Sequence, residues 1–111
     1  FGDGEQTRDF TYVGNVVLGN MMAAEAPSER VAGQVFNLAM GGQISLNQLV
    51  EALRQVIGAN TLPVYDPPRP GDIKHSRADV GKIKHAMGFE PQVSFEEGLR
   101  RTVEWFRLHG A

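Results

Sequence analysis

The apolar positions of this chain fall into short blocks whose spacing changes along its length. Leu46, Leu49, Val50, Leu53, Val56 and Ile57 recur every three or four residues, the stripe of an amphipathic helix. Ser45 stands just before them and Gln48 three residues on, so the serine oxygen can take an orphan amide while the glutamine reaches back. Gly58 suits the left-handed stop. Ser94 with Glu97 repeats the pattern; Phe95, Leu99, Val103 and Phe106 then line one side of a last helix, with Trp105 beside them. Gly98 lies inside that helix, where it costs about 1 kcal/mol against alanine, and close packing is a candidate reason. Asp79 is placed to cap a shorter helix carrying Val80, Ile83 and Met87, ended by Gly88 and Pro91. Asn15 is placed to cap a helix over 16–26, with Val17, Met21 and Ala24 on one face and Pro27 and Ser28 at its end.

Three blocks are too short for helices. Residues 8–13 are aromatic and β-branched, residues 35–38 are closed by Gly41 and Gly42, and residues 62–65 precede a proline-rich stretch. Each reads as a short strand. Residues 66–73 must be loop, because prolines remove amide donors and fix φ. The order predicts a small α/β unit of about four helices and three short strands, forming a single domain over residues 1–111.

A chain of 111 residues is one domain in size, and 41% apolar with 22% charged residues fits a folded protein. The 11 Lys and Arg against 13 Asp and Glu leave a net charge of -2, with no basic excess to hold a nucleic acid or an anionic membrane. Cysteine is absent, which excludes disulfides, thiolate metal sites and a cysteine nucleophile. No apolar run is long enough to span a bilayer, and no basic-then-apolar segment opens the chain, so a soluble, cytoplasmic protein is expected. The first residue is Phe1 rather than methionine, so the chain is expected to be processed or a piece of something longer.

Candidate chemistry concentrates in two loops. Arg8 lies in Gly2-Asp3-Gly4-Glu5-Gln6-Thr7-Arg8-Asp9-Phe10, and Arg69 opens Arg69-Pro70-Gly71-Asp72. An arginine fork matches phosphate oxygens and stays charged. Two of them on separate loops could grip a diphosphate, with Asp72 accepting from sugar hydroxyls. The competing reading has both arginines paired on the surface with Asp9, Asp66 or Asp72. Gly2, Gly4, Gly41 and Gly42 read as turn glycines, because a dinucleotide loop needs a strand before it and a helix after it. His75, His85 and His109 lack metal-ligand spacing. Ser45 and Ser94 are caps, no Gly-x-Ser-x-Gly turn exists, and Tyr12 reads as a packed strand aromatic rather than a general acid. The Met21-Met22 pair sits at core spacing. Glu96 and Glu97 favour a helix N-terminus.

Phe1-Gly2-Asp3-Gly4-Glu5-Gln6-Thr7-Arg8-Asp9-Phe10-Thr11-Tyr12-Val13 resembles the segment that opens the C-terminal part of nucleotide-sugar epimerases and dehydratases, the extended short-chain dehydrogenases/reductases. Val35-Phe36-Asn37-Leu38, Ser45-Leu46-Asn47-Gln48-Leu49, Arg69 through Ser76 with Ala78 and Asp79, and Ser94 through Leu99 follow in the family's order. The resemblance covers the whole chain and is closest to UDP-glucose or UDP-N-acetylglucosamine 4-epimerases. It implies a small substrate-binding domain in which Arg8 and Arg69 contact the diphosphate of a UDP-sugar, Asp72 lies near the uridine ribose, and Pro70 and Gly71 shape that loop. In the intact enzyme it implies NAD, which oxidises the sugar at C4 and returns hydride to the other face. The Rossmann half is missing from these residues, with its glycine-rich NAD loop and its Tyr-x-x-x-Lys pair. Tyr12 is followed by Asn15 and Val16 with no lysine at that spacing, so no catalytic residue and no NAD site is expected in this chain. Asn15 stands where the family usually has aspartate, and Gly14 where an acidic residue is more typical. The expected partners are a UDP-sugar and either the missing half or a second copy, in a homodimer or swapped assembly. The alternative is a stand-alone domain that binds nucleotides or assembles without catalysis.

Overall fold

The computed structural model describes residues 1–110. Its elements are β1 (Thr7–Arg8), α1 (Val13–Glu25), the one-turn α2 (Ser28–Val31), β2 (Ile44–Ser45), α3 (Leu46–Ile57), α4 (Gly81–Met87) and α5 (Phe95–His109). The class is α/β, and the four expected helices are present. They are accompanied by α2, which the Pro27-Ser28-Glu29 sequence starts as a helical turn.

The α3 entry folds as its sequence dictates. Ser45 Oγ accepts from the Gln48 amide at 3.0 Å and the Gln48 side chain accepts from the Ser45 amide at 2.8 Å, and Gly58 closes the helix at φ 76°. At α5 only half of the expected box forms. Ser94 Oγ accepts from the Glu97 amide at 3.2 Å, but the Glu97 carboxylate turns to Arg100 and Arg101. Asp79 accepts from the Gly81 amide at 2.9 Å, ahead of an α4 that begins at Gly81 and ends on the left-handed Gly88.

Two expectations about α1 are corrected. The helix begins at Val13, with Tyr12 at its cap position, because Asn15 has other work. Asn15 is 1% exposed. Its carbonyl oxygen accepts from the Gln92 and Val93 amides at 3.0 Å each, and its amide donates to the Val93 carbonyl at 2.8 Å. The buried face is therefore the one carrying Asn15 and Gly19. A Cβ on Gly19 would collide with Leu38 and touch Phe89. Val17 and Met21, read as a core face, are exposed.

The strands also differ from expectation. Residues 9–12 run into α1, and residues 35–38 and 62–65 form no ladder among the described residues. A β-branched block becomes a strand only where a neighbour completes its hydrogen bonds; here Val35 and Val64 are among the most exposed apolar residues. The sheet that forms is antiparallel and two-stranded, with Thr7 opposite Ser45 and Arg8 opposite Ile44. Thr7 also makes a parallel bridge to His75. One residue thus joins the N-terminal loop, the start of α3 and the segment after the proline-rich loop.

Packing has two centres. α3 lies against α5, and Phe10 and Phe95 meet with ring centroids 6.1 Å apart. A Cβ on Gly98 would lie 2.7 Å from Tyr12 Cβ, so the glycine inside α5 is the close approach of that helix to Tyr12. In the second centre, Gly19 of α1 meets Leu38 and Phe89, and Ile83 and Phe89 are buried.

Candidate functional site

Arg69-Pro70-Gly71-Asp72 folds as a tight turn. Proline sets φ at the second position, Gly71 takes φ 79° at the third, and the Asp72 amide donates back to the Arg69 carbonyl at 3.3 Å, the arrangement of a type II turn. The turn presents Arg69 and Asp72 on the same side. Arg8 reaches them from β1. Its Nη1 donates to the Thr7 carbonyl at 2.7 Å, and its Nη2 to Asp72 Oδ1 at 3.1 Å. Arg69 Nη2 lies 3.8 Å from Asp72 Oδ2, and its guanidinium sits 4.8 Å from the centroid of the Phe1 ring. Arg8 and Asp72, 64 residues apart, are held in register by β1. The Thr7 amide donates to the Lys74 carbonyl at 2.7 Å, the Ser76 amide to the Thr7 carbonyl at 3.1 Å, and Thr7 Oγ1 lies 2.9 Å from His75 Nδ1.

Beside this cluster opens a cleft of about 500 Å³ lined by Phe1, Asp66, Arg69, Asp72 and Lys74 among others. Of the five sequence-derived candidates, Arg69 and Asp72 line it; Pro70 and Gly71 form the turn between them, and Arg8 reaches Asp72 from β1. Of the carboxylates proposed as surface partners for the arginines, Asp72 is the one that pairs, and it meets both. Asp9 has a different task. Its two oxygens accept from the Met40 amide at 3.2 Å and the Gly41 amide at 2.8 Å, which ties the glycine turn to β1. Asp66, which the sequence offers only as a surface partner for the arginines, lines the cleft wall instead. Phe1 and Lys74 have no role that the sequence marks, because their place depends on two loops meeting.

The glycines do not fit a dinucleotide. The Gly41 amide is taken by Asp9, a Cβ on Gly4 would collide with the Asn47 side chain, and the first turn of α3 is satisfied by its own capping box. No helix in the described residues is long and apolar enough to cross a membrane.

The family model described as GDP-mannose 4,6 dehydratase matches residues 1–102. A UDP-glucose 4-epimerase of Mycolicibacterium smegmatis is 39% identical over 107 residues, which are 96% of this chain and 33% of that protein. The structure of UDP-glucose 4-epimerase from Thermotoga maritima with UDP-glucose superposes with a TM-score of 0.88 at 44% identity, covering 100% of this chain and 35% of that one. UDP-glucuronic acid 4-epimerase from Bacillus cereus, in complex with UDP-glucuronic acid and NAD, gives 0.86 at 29% identity, over 98% and 34%. The chain spans about a third of the length of the curated relatives it matches. From its order of motifs and this likeness, the chain belongs to the nucleotide-sugar epimerase and dehydratase family of extended short-chain dehydrogenases/reductases.

Proposed function

We propose that this chain is the UDP-sugar-binding C-terminal part of an NAD-dependent nucleotide-sugar 4-epimerase, a single substrate-binding domain belonging to a longer enzyme. The observation that carries the reading is the convergence of Arg8 and Arg69, from two loops far apart in sequence, on one carboxylate at the mouth of a cleft. Two guanidiniums so placed suit two phosphate groups, each hydrogen bond being charge-assisted. The type II turn sets Arg69 and Asp72 in fixed relation, leaving Asp72 to accept from sugar hydroxyls. The Thermotoga maritima relative was solved with UDP-glucose and the Bacillus cereus relative with a UDP-sugar and NAD, which supports the same ligand class here.

In the intact enzyme NAD would supply the oxidation and re-reduction at C4 of the sugar. The residues of this chain would bind and orient the nucleotide end, and the NAD site would lie in the rest of the enzyme. The chain alone is therefore expected to lack epimerase activity. Turnover of a UDP-sugar by the purified chain with added NAD would contradict this. The binding role is tested by titrating isotope-labelled chain with UDP and following amide shifts. Shifts are expected at Arg8 and at residues 69–72, and they should vanish in Arg8→Ala and Arg69→Ala. No shift at millimolar UDP would reject the clamp in the isolated chain.

The partner implied is the remaining length of the enzyme. The accessible surface is 7739 Å², against about 6,100 Å² for a compact monomer of this mass. The excess approaches the area that a permanent interface covers on one side. Val13, Val17 and Met21, four residues apart along α1, form part of it.

A further inference from the structure

We propose that Asp72 is a placeholder anion. It holds the two guanidiniums together, and by having to be displaced it selects for nucleoside diphosphates over bare inorganic anions. The proposal rests on the UDP-sugar reading of the site and deepens it.

Two cations side by side repel one another unless an anion lies between them. Here a single carboxylate serves both. One oxygen accepts from Arg8 at 3.1 Å and the other faces Arg69 at 3.8 Å. The two arginines are not held alike. Arg8 is pinned by its second nitrogen to the Thr7 carbonyl, and its side chain is 30% exposed. Arg69 is 60% exposed and beyond hydrogen-bond length from Asp72. It rests on the face of Phe1. An entering anion can therefore engage Arg69 before any bond to Asp72 is broken, and reach Arg8 by exchange. Part-exposed ion pairs are weak, each about 0.2–1 kcal/mol, so the exchange is open to a ligand that offers more oxygens than one carboxylate. A diphosphate can span the two guanidiniums as the carboxylate does. Chloride, a single point of charge, cannot.

Displacement does not remove Asp72. Pro70 and the left-handed Gly71 fix its turn, so the freed carboxylate stays at the mouth of the cleft, with Asp66 also on its wall. An ionised carboxylate accepts hydrogen bonds and donates none. Inorganic pyrophosphate, highly charged and without sugar hydroxyls, meets it as one anion meets another. A diphosphate attached to a hydroxyl-bearing group brings donors to it. The same side chain thus opposes the first ligand and accepts the second.

The test is calorimetric titration of the 111-residue chain with UDP and, separately, with inorganic pyrophosphate, at one ionic strength. Asp72→Asn keeps the shape and loses the charge. Pyrophosphate is expected to bind the variant about five- to tenfold more tightly, the worth of two part-exposed ion pairs, while UDP does not tighten. The ratio of the two affinities therefore falls. Asp66→Asn removes a charge from the same cleft wall and should leave the ratio unchanged. Asp72→Ala should move the ratio in the same direction as Asp72→Asn, and it serves if the asparagine variant does not fold. A change of equal size for both ligands, no change for either, or the same change in Asp66→Asn overturns the placeholder role while leaving the UDP site standing. Absence of UDP binding to the unaltered chain overturns both.

Discussion

Asn15 reaches across 77 residues to the segment before α5 and satisfies two amides and a carbonyl there. Its burial leaves no water to take its place. Replacing it by alanine strands those three groups, each at a cost of about 1–3 kcal/mol, so Asn15→Ala should lose at least about 3 kcal/mol in urea unfolding. A loss below 1 kcal/mol would show that the backbone groups find other partners. The residue was visible in the sequence as a departure from the family's aspartate, but its role was misread as a local cap. A cap is a contact within a few residues, which a sequence displays; a bond to Gln92 and Val93 is set by the fold. The turn Arg69-Pro70-Gly71-Asp72 was legible for the opposite reason: proline at its second position and glycine at its third state its geometry locally, whereas the pairing of Arg8 with Asp72 across 64 residues is again set by the fold.

At the scale of elements, α5 carries two expectations. Alanine would ordinarily favour a helix interior over glycine by about 1 kcal/mol. At Gly98 the added carbon meets Tyr12 Cβ at 2.7 Å, and overpacking of that kind costs about 1–3 kcal/mol. Gly98→Ala should therefore destabilise the chain in chemical denaturation, and a stabilised variant would contradict the close packing. The first turn of the same helix carries Glu97, whose carboxylate is pulled down from 4.5 to about 2 by hydrogen bonds from Arg100 and then Arg101. A carboxyl lowered on folding stabilises above its unfolded value and loses that contribution as it protonates. Stability should thus fall between pH 4.5 and about 2 in the native chain, and fall less in Glu97→Gln. Parallel acid profiles for the two would remove this contribution. α3 and α5 were legible because period and caps agree there; the cap and buried face of α1 were not, because Asn15 bonds to a distant segment. The strands were not, because residues 35–38 and 62–65 have strand chemistry and no neighbour to pair with.

The whole molecule measures 50 × 36 × 19 Å, a slab rather than a ball. Its radius of gyration is 16.7 Å, against about 13 Å for a compact chain of this length. α1 is apolar nearly all round, the pattern of a helix buried on more than one side. In the isolated chain that surface should be covered by another copy, in a dimer or a swapped assembly. Sedimentation at high concentration should show association, weakened by Val17→Lys with Met21→Lys on the exposed stripe. A monomer at every concentration would contradict it. The slab shape could not be read from composition, which is that of an ordinary globular domain.

Thr7 bonds on one side to the start of α3 and on the other to His75, 68 residues away. The helices can form from neighbours in the chain, but the arginine cluster exists only after this long closure. Contacts of such sequence separation form slowly, since the entropy of the loop is lost before the bonds reward it. A nucleotide titration is thus also a folding assay. Separating the chain into two pieces anywhere between α3 and Arg69 should erase the site, so ligand binding counts the molecules whose distant segments have found each other.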